Sequence, residues 1–399
     1  MSKDPYCVLP WIHVTNHTDG RTSPCCTWKE RPSSLSASQY FNSPEQAALR
    51  ERMLRHDPPP GCIDCIDQQK LGTYSPRDDG WNVFNHLLKH KSFTGAASLE
   101  YMELNFSNIC NLKCKMCGND RSSKWSSDAE AMGFPVYGKL VSDVHLSDDM
   151  LRTLRFIRIL GGEPLLHEDQ IIDMLTRAEN LGTIDRLTLG ITTNGTILPN
   201  AKLLPLLQKC QNIFWTISID AAYQLNDYIR SGSDWNVITS NLLELERLSN
   251  ATGTWSINVG SVCMIYNANR MHELADWIDA HIPSLQGRHS WFPLHFPEYL
   301  AADRLPSDYL LELADRYDQL AAERPGWRAD SWWRPIAMHL RSSANKVPYI
   351  QDRNDYYAAF ARDSKQLITQ LDRLRGDDLL AANPEIHHQL HRNNQLANP

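Results

Sequence analysis

Cys110-Asn111-Leu112-Lys113-Cys114-Lys115-Met116-Cys117 follows closely on the run from Leu99 to Phe106. The run is apolar and β-prone and reads as a strand, so the three thiols sit on the loop that leaves it. A cubic 4Fe-4S cluster takes one protein ligand per iron and is normally closed by four cysteines. Three cysteines separated by three and then two residues can wrap one such cluster from a single loop and leave the fourth iron for an outside ligand. Zinc also takes clustered cysteines, but its sites usually pair two CxxC knuckles, and this spacing is different.

The CxxxCxxC spacing after a strand resembles the signature of the radical SAM superfamily. The resemblance implies that the open iron is chelated by the amino and carboxylate groups of S-adenosylmethionine (SAM). A second motif agrees with it: the short apolar run from Phe156 to Leu160 leads straight into Gly161-Gly162-Glu163-Pro164, similar to the GGEP segment of the same superfamily. Glycine lets a backbone approach a ligand closely. The resemblance implies that Gly161, Gly162, Glu163 and Pro164 hold the methionine amino group of SAM, whereas GGEP standing alone would be an ordinary strand-end turn.

Composition narrows the function classes. The chain has 399 residues, 42% of them hydrophobic, with a mean hydropathy of -0.44, which is the character of a globular protein with room for a catalytic domain and a smaller one. No run of about 18 apolar residues is present to form a membrane span, and the first residues lack the apolar core of a signal peptide. A cytoplasmic location is the expectation, and disulfides are an unexpected use for the ten cysteines. The net charge of -7 argues against a general nucleic-acid or anionic-membrane surface.

From Leu99 onward, short apolar runs alternate with amphipathic stretches. Leu99 to Phe106, Phe156 to Leu160, Leu187 to Thr193, Ile213 to Ile219, Thr254 to Ile265 and His289 to Leu294 read as strands. Gln170 to Leu181, Asn200 to Cys210, Asp234 to Leu248 and Asn269 to His281 have apolar residues at helical spacing. The alternation predicts an α/β fold with a parallel sheet. Together with the superfamily motifs it implies a partial (β/α)6 TIM-like barrel whose chemistry sits at the C-terminal ends of the strands.

The predicted third and fourth strands end in Thr192-Thr193-Asn194-Gly195 and Ser218-Ile219-Asp220-Ala221. These resemble the TNG and SIDG segments of the SPASM/Twitch group, with Ala221 in place of the usual glycine. The resemblance adds Asn194, Ser218 and Asp220 to the cofactor-binding set. It also makes Arg230, in the segment from Asp227 to Trp235, the partner of the SAM carboxylate, since a guanidinium fork matches a carboxylate bidentately. Singly, each of the polar residues could equally be a turn or helix-cap residue.

The first hundred residues hold five cysteines, much Pro and Ser, and no strand-helix alternation. Twelve residues separate Cys7 from Gly20 and four separate Gly20 from Cys25, and Cys62-Ile63-Asp64-Cys65 follows. The pattern resembles the opening of a SPASM or Twitch module, which binds auxiliary 4Fe-4S clusters and in most of the family lies after the barrel. Cys7, Cys25, Cys62 and Cys65 make one complete ligand set, so the resemblance implies one auxiliary cluster, with Cys26 left over. Structural zinc at the same four thiols is the alternative. The implied organisation is a Cys-rich module over 1–95, a radical SAM barrel over 96–297 and a helical extension over 298–399. In that extension Leu310 to Ala322 and Tyr356 to Leu374 read as helices. Trp327, Trp332 and Trp333 read either as the core of a helical cap or as a substrate groove, Arg375-Gly376-Asp377-Asp378 as a solvated turn, and the last residues as frayed.

The resemblance implies reductive cleavage of SAM to a 5'-deoxyadenosyl radical that abstracts hydrogen from a peptide or protein, an oxidoreductase or maturase reaction fed by a flavodoxin- or ferredoxin-like electron donor. A sugar or aminocyclitol dehydrogenase or epimerase is the runner-up, and a non-catalytic iron-sulfur or zinc scaffold is the reading from another class. Cys263, in the predicted fifth strand, is a candidate hydrogen donor to a substrate radical if its side chain faces the barrel interior with Val259 and Ser261. The plainer reading makes it a small buried hydrophobe.

Overall fold

The computed structural model describes residues 7–70, 75, 77–78, 97–142, 144–345 and 364–392. The strands are β1 His13–Asn16, β2 Thr22–Ser23, β3 Tyr101–Asn105, β4 Phe156–Leu160, β5 Thr188–Thr193, β6 Asn212–Ser218, β7 Trp255–Cys263 and β8 His289–Pro293. Their hydrogen-bonded order is β2-β1-β3-β4-β5-β6-β7-β8. β3 to β8 coincide within about two residues with the six predicted runs, and helical segments follow each of them. This is the α/β succession of a partial (β/α)6 barrel.

The chain divides into two compact units. The first comprises Met1–Ile109, Lys139–Thr192 and Pro199–Phe214, and the second Cys110–Gly138, Thr193–Leu198 and Trp215–Pro399. In the first unit, β3 pairs parallel with β4 (Tyr101↔Phe156 to Asn105↔Leu160) and β4 with β5 (Phe156↔Thr188 to Ile159↔Ile191). Every residue of β3 is buried, as expected where both faces of a parallel strand are covered. The Glu168–Asn180 helix begins with two acidic residues, favourable at a helix N-terminus, and buries Ile171, Met174, Leu175 and Ala178, one apolar stripe at helical spacing.

The segment before residue 95, where the sequence shows no strand pattern, supplies two strands to this sheet. β1 pairs parallel with β3 (His13↔Tyr101 to Thr15↔Glu103) and β2 lies antiparallel on β1. The two strands are only four and two residues long, too short for a period to show. Beside them, Ser43 caps the Pro44–Leu54 helix by accepting from the Gln46 amide, with proline at the first helical position.

In the second unit, β7 and β8 pair parallel (Val259↔His289 to Cys263↔Pro293). Trp255, Ile257, Val259, Ser261 and Cys263 alternate as the buried residues of β7. The Trp235–Thr252 helix starts at Asp234, whose carboxylate accepts from the Asn236 amide, and stops at Gly253, whose φ of 70° closes the last turn. The tail is helical, over Ser307–Glu323, Arg334–Ala344, Ser364–Arg375 and Pro384–Arg392. Residues 356–363 of the predicted last long helix and the terminal residues after 392 lie outside the described residues. Trp332 and Trp333 are each 1% exposed and Trp327 packs against the same apolar cluster, so the tryptophans belong to the core of the helical extension. Among the described residues no helix is long and apolar enough to cross a membrane.

Candidate functional site

The cysteine loop belongs to the second unit and is tied down at nearly every residue. The Lys113 amide donates to Ser231 O at 3.0 Å, the Lys115 amide to Ile229 O at 2.8 Å and the Cys117 amide to Cys114 O at 3.0 Å. Leu112 O accepts from Ser122 Oγ at 2.6 Å and Cys114 O from Trp125 Nε1 at 2.8 Å. The three thiols of one loop therefore keep a fixed order and direction, and none of the ten cysteines is in a disulfide.

Two predicted residues reach the sulfurs. Asn194 Nδ2 lies 3.8 Å from Cys110 Sγ and donates to Asn111 Oδ1 at 2.8 Å, while Asn194 Oδ1 accepts from the Thr196 amide and hydroxyl. Arg230 Nη1 lies 3.8 Å from Cys114 Sγ. The hydrogen bond with Cys117 outweighs burial and, with Arg230, holds the Cys114 thiol below its usual range. N–H groups directed at cluster sulfurs are one of the means by which proteins tune iron-sulfur centres. The donor set of this loop fits three ligands of a 4Fe-4S cluster.

Arg230 has a partner that the sequence did not disclose. Its Nη2 is 2.9 Å from Asp220 Oδ2, both side chains being buried, and its Nε has no hydrogen-bond partner among the described residues. Asp220 also accepts from the Val262 amide at 2.8 Å, and its own carbonyl accepts from Asn267 Nδ2 at 2.7 Å. Burial pushes the Asp220 carboxyl up despite the guanidinium beside it. One side of the Arg230 fork is thus already engaged, and a bidentate grip on another carboxylate would have to share that ion pair. Ser218 ends β6 and is partly buried, and Ala221 is fully buried.

The Gly161–Pro164 turn belongs to the first unit and lies against the end of β3. Gly161 has a φ of 118°, which only glycine adopts readily, and a Cβ there would come within 2.8 Å of Ser107 O. A Cβ on Gly162 would fall 2.1 Å from Ile109 O, and Ile109 is the chain neighbour of Cys110. The amides of Gly162 and Glu163 donate to Ser107 O and Ile109 O at 2.8 and 2.9 Å. Glu163 is 1% exposed, and its Oε1 accepts from the Leu165 amide at 3.1 Å, capping the turn that begins at Pro164.

Also in the first unit, the four N-terminal cysteines converge. Thr27 Oγ1 stands 3.6 Å from Cys25 Sγ and 3.7 Å from Cys65 Sγ. Cys7, Cys25 and Cys62 pack against the same apolar cluster of Val8, Leu9, Ile12, Leu49, Met53, Tyr101 and Phe156. Burial, reinforced by mutual repulsion of the thiolates, pushes Cys7 well up and Cys25 to about 12. A metal would have to displace those protons, as metal thiolate sites do. Cys26 is exposed and interacts with both Cys25 and Glu103. Glu103 is a buried acid that accepts from Thr15 Oγ1 at 2.8 Å and Tyr101 Oη at 3.0 Å. Among the described residues no three His, Cys, Asp or Glu side chains are gathered tightly enough to hold a single metal ion.

Cys263 ends β7 in the second unit. It is fully buried in the apolar cluster that contains Met271 and Ala275 of the Met271–His281 helix and Tyr309, Leu313 and Tyr317 of the Ser307–Glu323 helix, and burial pushes its thiol up to about 12. Its strand alternation with Val259 and Ser261 holds, but that face packs on helices. Burial in this cluster supports the plainer reading, a small buried hydrophobe. The Arg375–Asp378 turn is corrected: the Arg375 side chain is 1% exposed, and Asp377 pairs with Lys115. Neither partner could be found from sequence, since each lies more than 200 residues away.

Residues 104–278 match the Radical SAM superfamily. A curated relative, the tungsten-containing aldehyde ferredoxin oxidoreductase cofactor-modifying protein of Pyrococcus furiosus, is 24% identical over 45% of this chain and 48% of its own length. The chain thus spans about half the length of that relative. Similar solved structures include anSMEcpe with bound AdoMet and Cp18Cys peptide (16% identical, 56% of this chain and 62% of that one, TM-score 0.36). Streptococcus suis SuiB bound to S-adenosylmethionine is another (17% identical, 70% and 60%, TM-score 0.34). That family implies a 4Fe-4S cluster and SAM, and the matched segment is the one that carries the cysteine loop, the GGEP turn, Asn194 and Arg230.

Proposed function

We propose that Cys110, Cys114 and Cys117 hold a 4Fe-4S cluster whose fourth iron binds SAM, and that the protein is a maturase or oxidoreductase acting on a peptide or protein. When bound, cluster and SAM would supply one-electron cleavage of the sulfonium to a 5'-deoxyadenosyl radical able to abstract hydrogen from an unactivated carbon. The observation that supports this reading is the set of three thiols on one tied-down loop, two of them facing the N–H groups of Asn194 and Arg230. The Gly161–Pro164 turn, which the two glycines let close against Ser107 O and Ile109 O, is assigned to the methionine end of SAM. Glu163 is assigned to its amino group and Arg230, oriented by Asp220, to its carboxylate. Cys7, Cys25, Cys62 and Cys65 are assigned one auxiliary 4Fe-4S cluster, and a flavodoxin- or ferredoxin-like protein the delivery of the electron. The peptide class rests on the likeness of the Cys-rich segment and the two polar strand ends to the SPASM/Twitch group.

Anaerobic reconstitution with iron and sulfide, followed by reduction in the presence of SAM, tests the reading. The parent protein is expected to form 5'-deoxyadenosine, and the variant with Cys110, Cys114 and Cys117 all replaced by Ala is expected to form none while keeping iron at the N-terminal cysteines. SAM cleavage that survives in the triple variant would place the chemistry elsewhere.

A further inference from the structure

The Ser364–Arg375 helix and the turn after it lie outside the segment that matches the superfamily, yet they end on the cysteine loop. Lys115, between Cys114 and Cys117, has a fully buried side chain whose Nζ lies 2.7 Å from Asp372 Oδ1 and 2.7 Å from Asp377 Oδ2. The ammonium also sits 4.1 Å from the centroid of the Tyr228 ring. Tyr228 Oη donates to the Asp372 carboxylate at 3.0 Å, and Asp372 Oδ2 accepts from the Leu379 amide at 3.1 Å. Arg375 completes the arrangement. Its Nε is 2.8 Å from Asp128 Oδ2, its Nη1 donates to Lys113 O at 2.6 Å and Ser231 Oγ at 3.1 Å, and its guanidinium lies 4.4 Å over the ring of Trp125.

A lysine taken fully out of water is costly unless its charge is met, and burying such pairs is a poor way to gain stability alone. A buried ion pair is better suited to selecting one conformation, because every alternative leaves a charge stranded. Here the selected conformation is that of the loop. Arg375 holds the carbonyl before Cys114, Trp125 holds the carbonyl of Cys114, and the two carboxylates hold the side chain after it. We propose that Lys115, Asp372, Asp377 and Arg375 form a latch by which the C-terminal helix sets the cysteine loop in its ligand-presenting shape before iron is bound. These are positioning residues, and the proposal rests on the reading of the loop as a cluster site.

The latch is testable on the full chain without metal. In the metal-free protein, alkylation of Cys110, Cys114 and Cys117 by iodoacetamide is followed by peptide mass spectrometry, with Cys7, Cys25, Cys62 and Cys65 as internal references. Asp377→Asn and Arg375→Lys are expected to speed the loop cysteines by about tenfold, the scale of a local opening, with the N-terminal cysteines and the unfolding midpoint little changed. Asp377→Glu should restore the parent rate. After reconstitution, the midpoint potential of the loop cluster, read by EPR, should rise in Asp377→Asn and fall in Lys115→Met, opposite signs that a general loosening does not produce. Parent-like alkylation rates in a folded Asp377→Asn protein, or equal acceleration at both cysteine sets, would overturn the latch. Lack of a loop cluster in the parent would instead defeat the cluster reading, while the alkylation rates would still decide the latch.

Discussion

At the scale of single residues, the motif that counts most for geometry is the glycine pair before Glu163. The backbone of Ile109 occupies the space that a side chain on Gly162 would need, 2.1 Å from the Cβ position. Backbone cannot give way as the end of a long side chain can. Gly162→Ala is therefore expected to destabilise the protein by about 1–3 kcal/mol, the range for overpacking, and to lower iron bound at the loop, because Ile109 precedes Cys110. Thermal unfolding and iron analysis of the reconstituted variant measure the two effects. A variant with parent-like stability and iron would show that the turn relaxes freely. Arg230 and Asp220 illustrate a limit at this scale. Their motifs marked both as cofactor-binding, but their pairing at 2.9 Å depends on the helix from Tyr223 to Ile229 bringing the arginine back over the end of β6.

At the scale of elements, β7 shows how a correct strand assignment leaves function open. The period of two put Cys263 with Val259 and Ser261, and the structure keeps them together. Which face looks inward is set by the helices that cover the strand, and the Cys263 face is covered by the Met271–His281 and Ser307–Glu323 helices. Cys263→Ala should then cost about 1 kcal/mol of stability through the small cavity it leaves. SAM cleavage and product formation should stay at parent levels once protein concentration is matched. Product formation lost with stability and SAM cleavage intact would return Cys263 to the reaction. The tryptophans of the tail obey the same logic: Trp332 donates to His289 O at 2.7 Å and lies against the His289 ring, which makes them core.

For the molecule as a whole, seven of the ten cysteines fall into two sets, one in each compact unit. In the first, Cys25 and Cys65 flank Thr27 and Cys7, Cys25 and Cys62 pack on one apolar cluster, and in the second Cys110, Cys114 and Cys117 share a loop. Cys62→Ala should lose about half of the iron of the reconstituted protein, and Cys26→Ala none, if each set holds one cluster. Iron and sulfide analysis with Mössbauer spectra measures this. Zinc in anaerobically purified protein, removed by the Cys62 change, would replace the auxiliary cluster by a structural metal.

The sequence by itself determined the likeness to the superfamily, the six strands from Tyr101 to Pro293, and the residues of the loop and the GGEP turn. Those features are local: ligand spacing along a loop, alternation of two and a helical period are all written within about a dozen consecutive residues. Tertiary structure alone decided that β1 joins β3, that Arg230 meets Asp220, that Cys263 faces helices, and that the Arg375–Asp378 turn grips the cysteine loop. Lys115 and its two carboxylates are 257 and 262 residues apart in the chain. No periodicity links such positions. What joins them is the need of a buried ammonium for counter-charges, a demand that exists only once the chain has folded around Lys115.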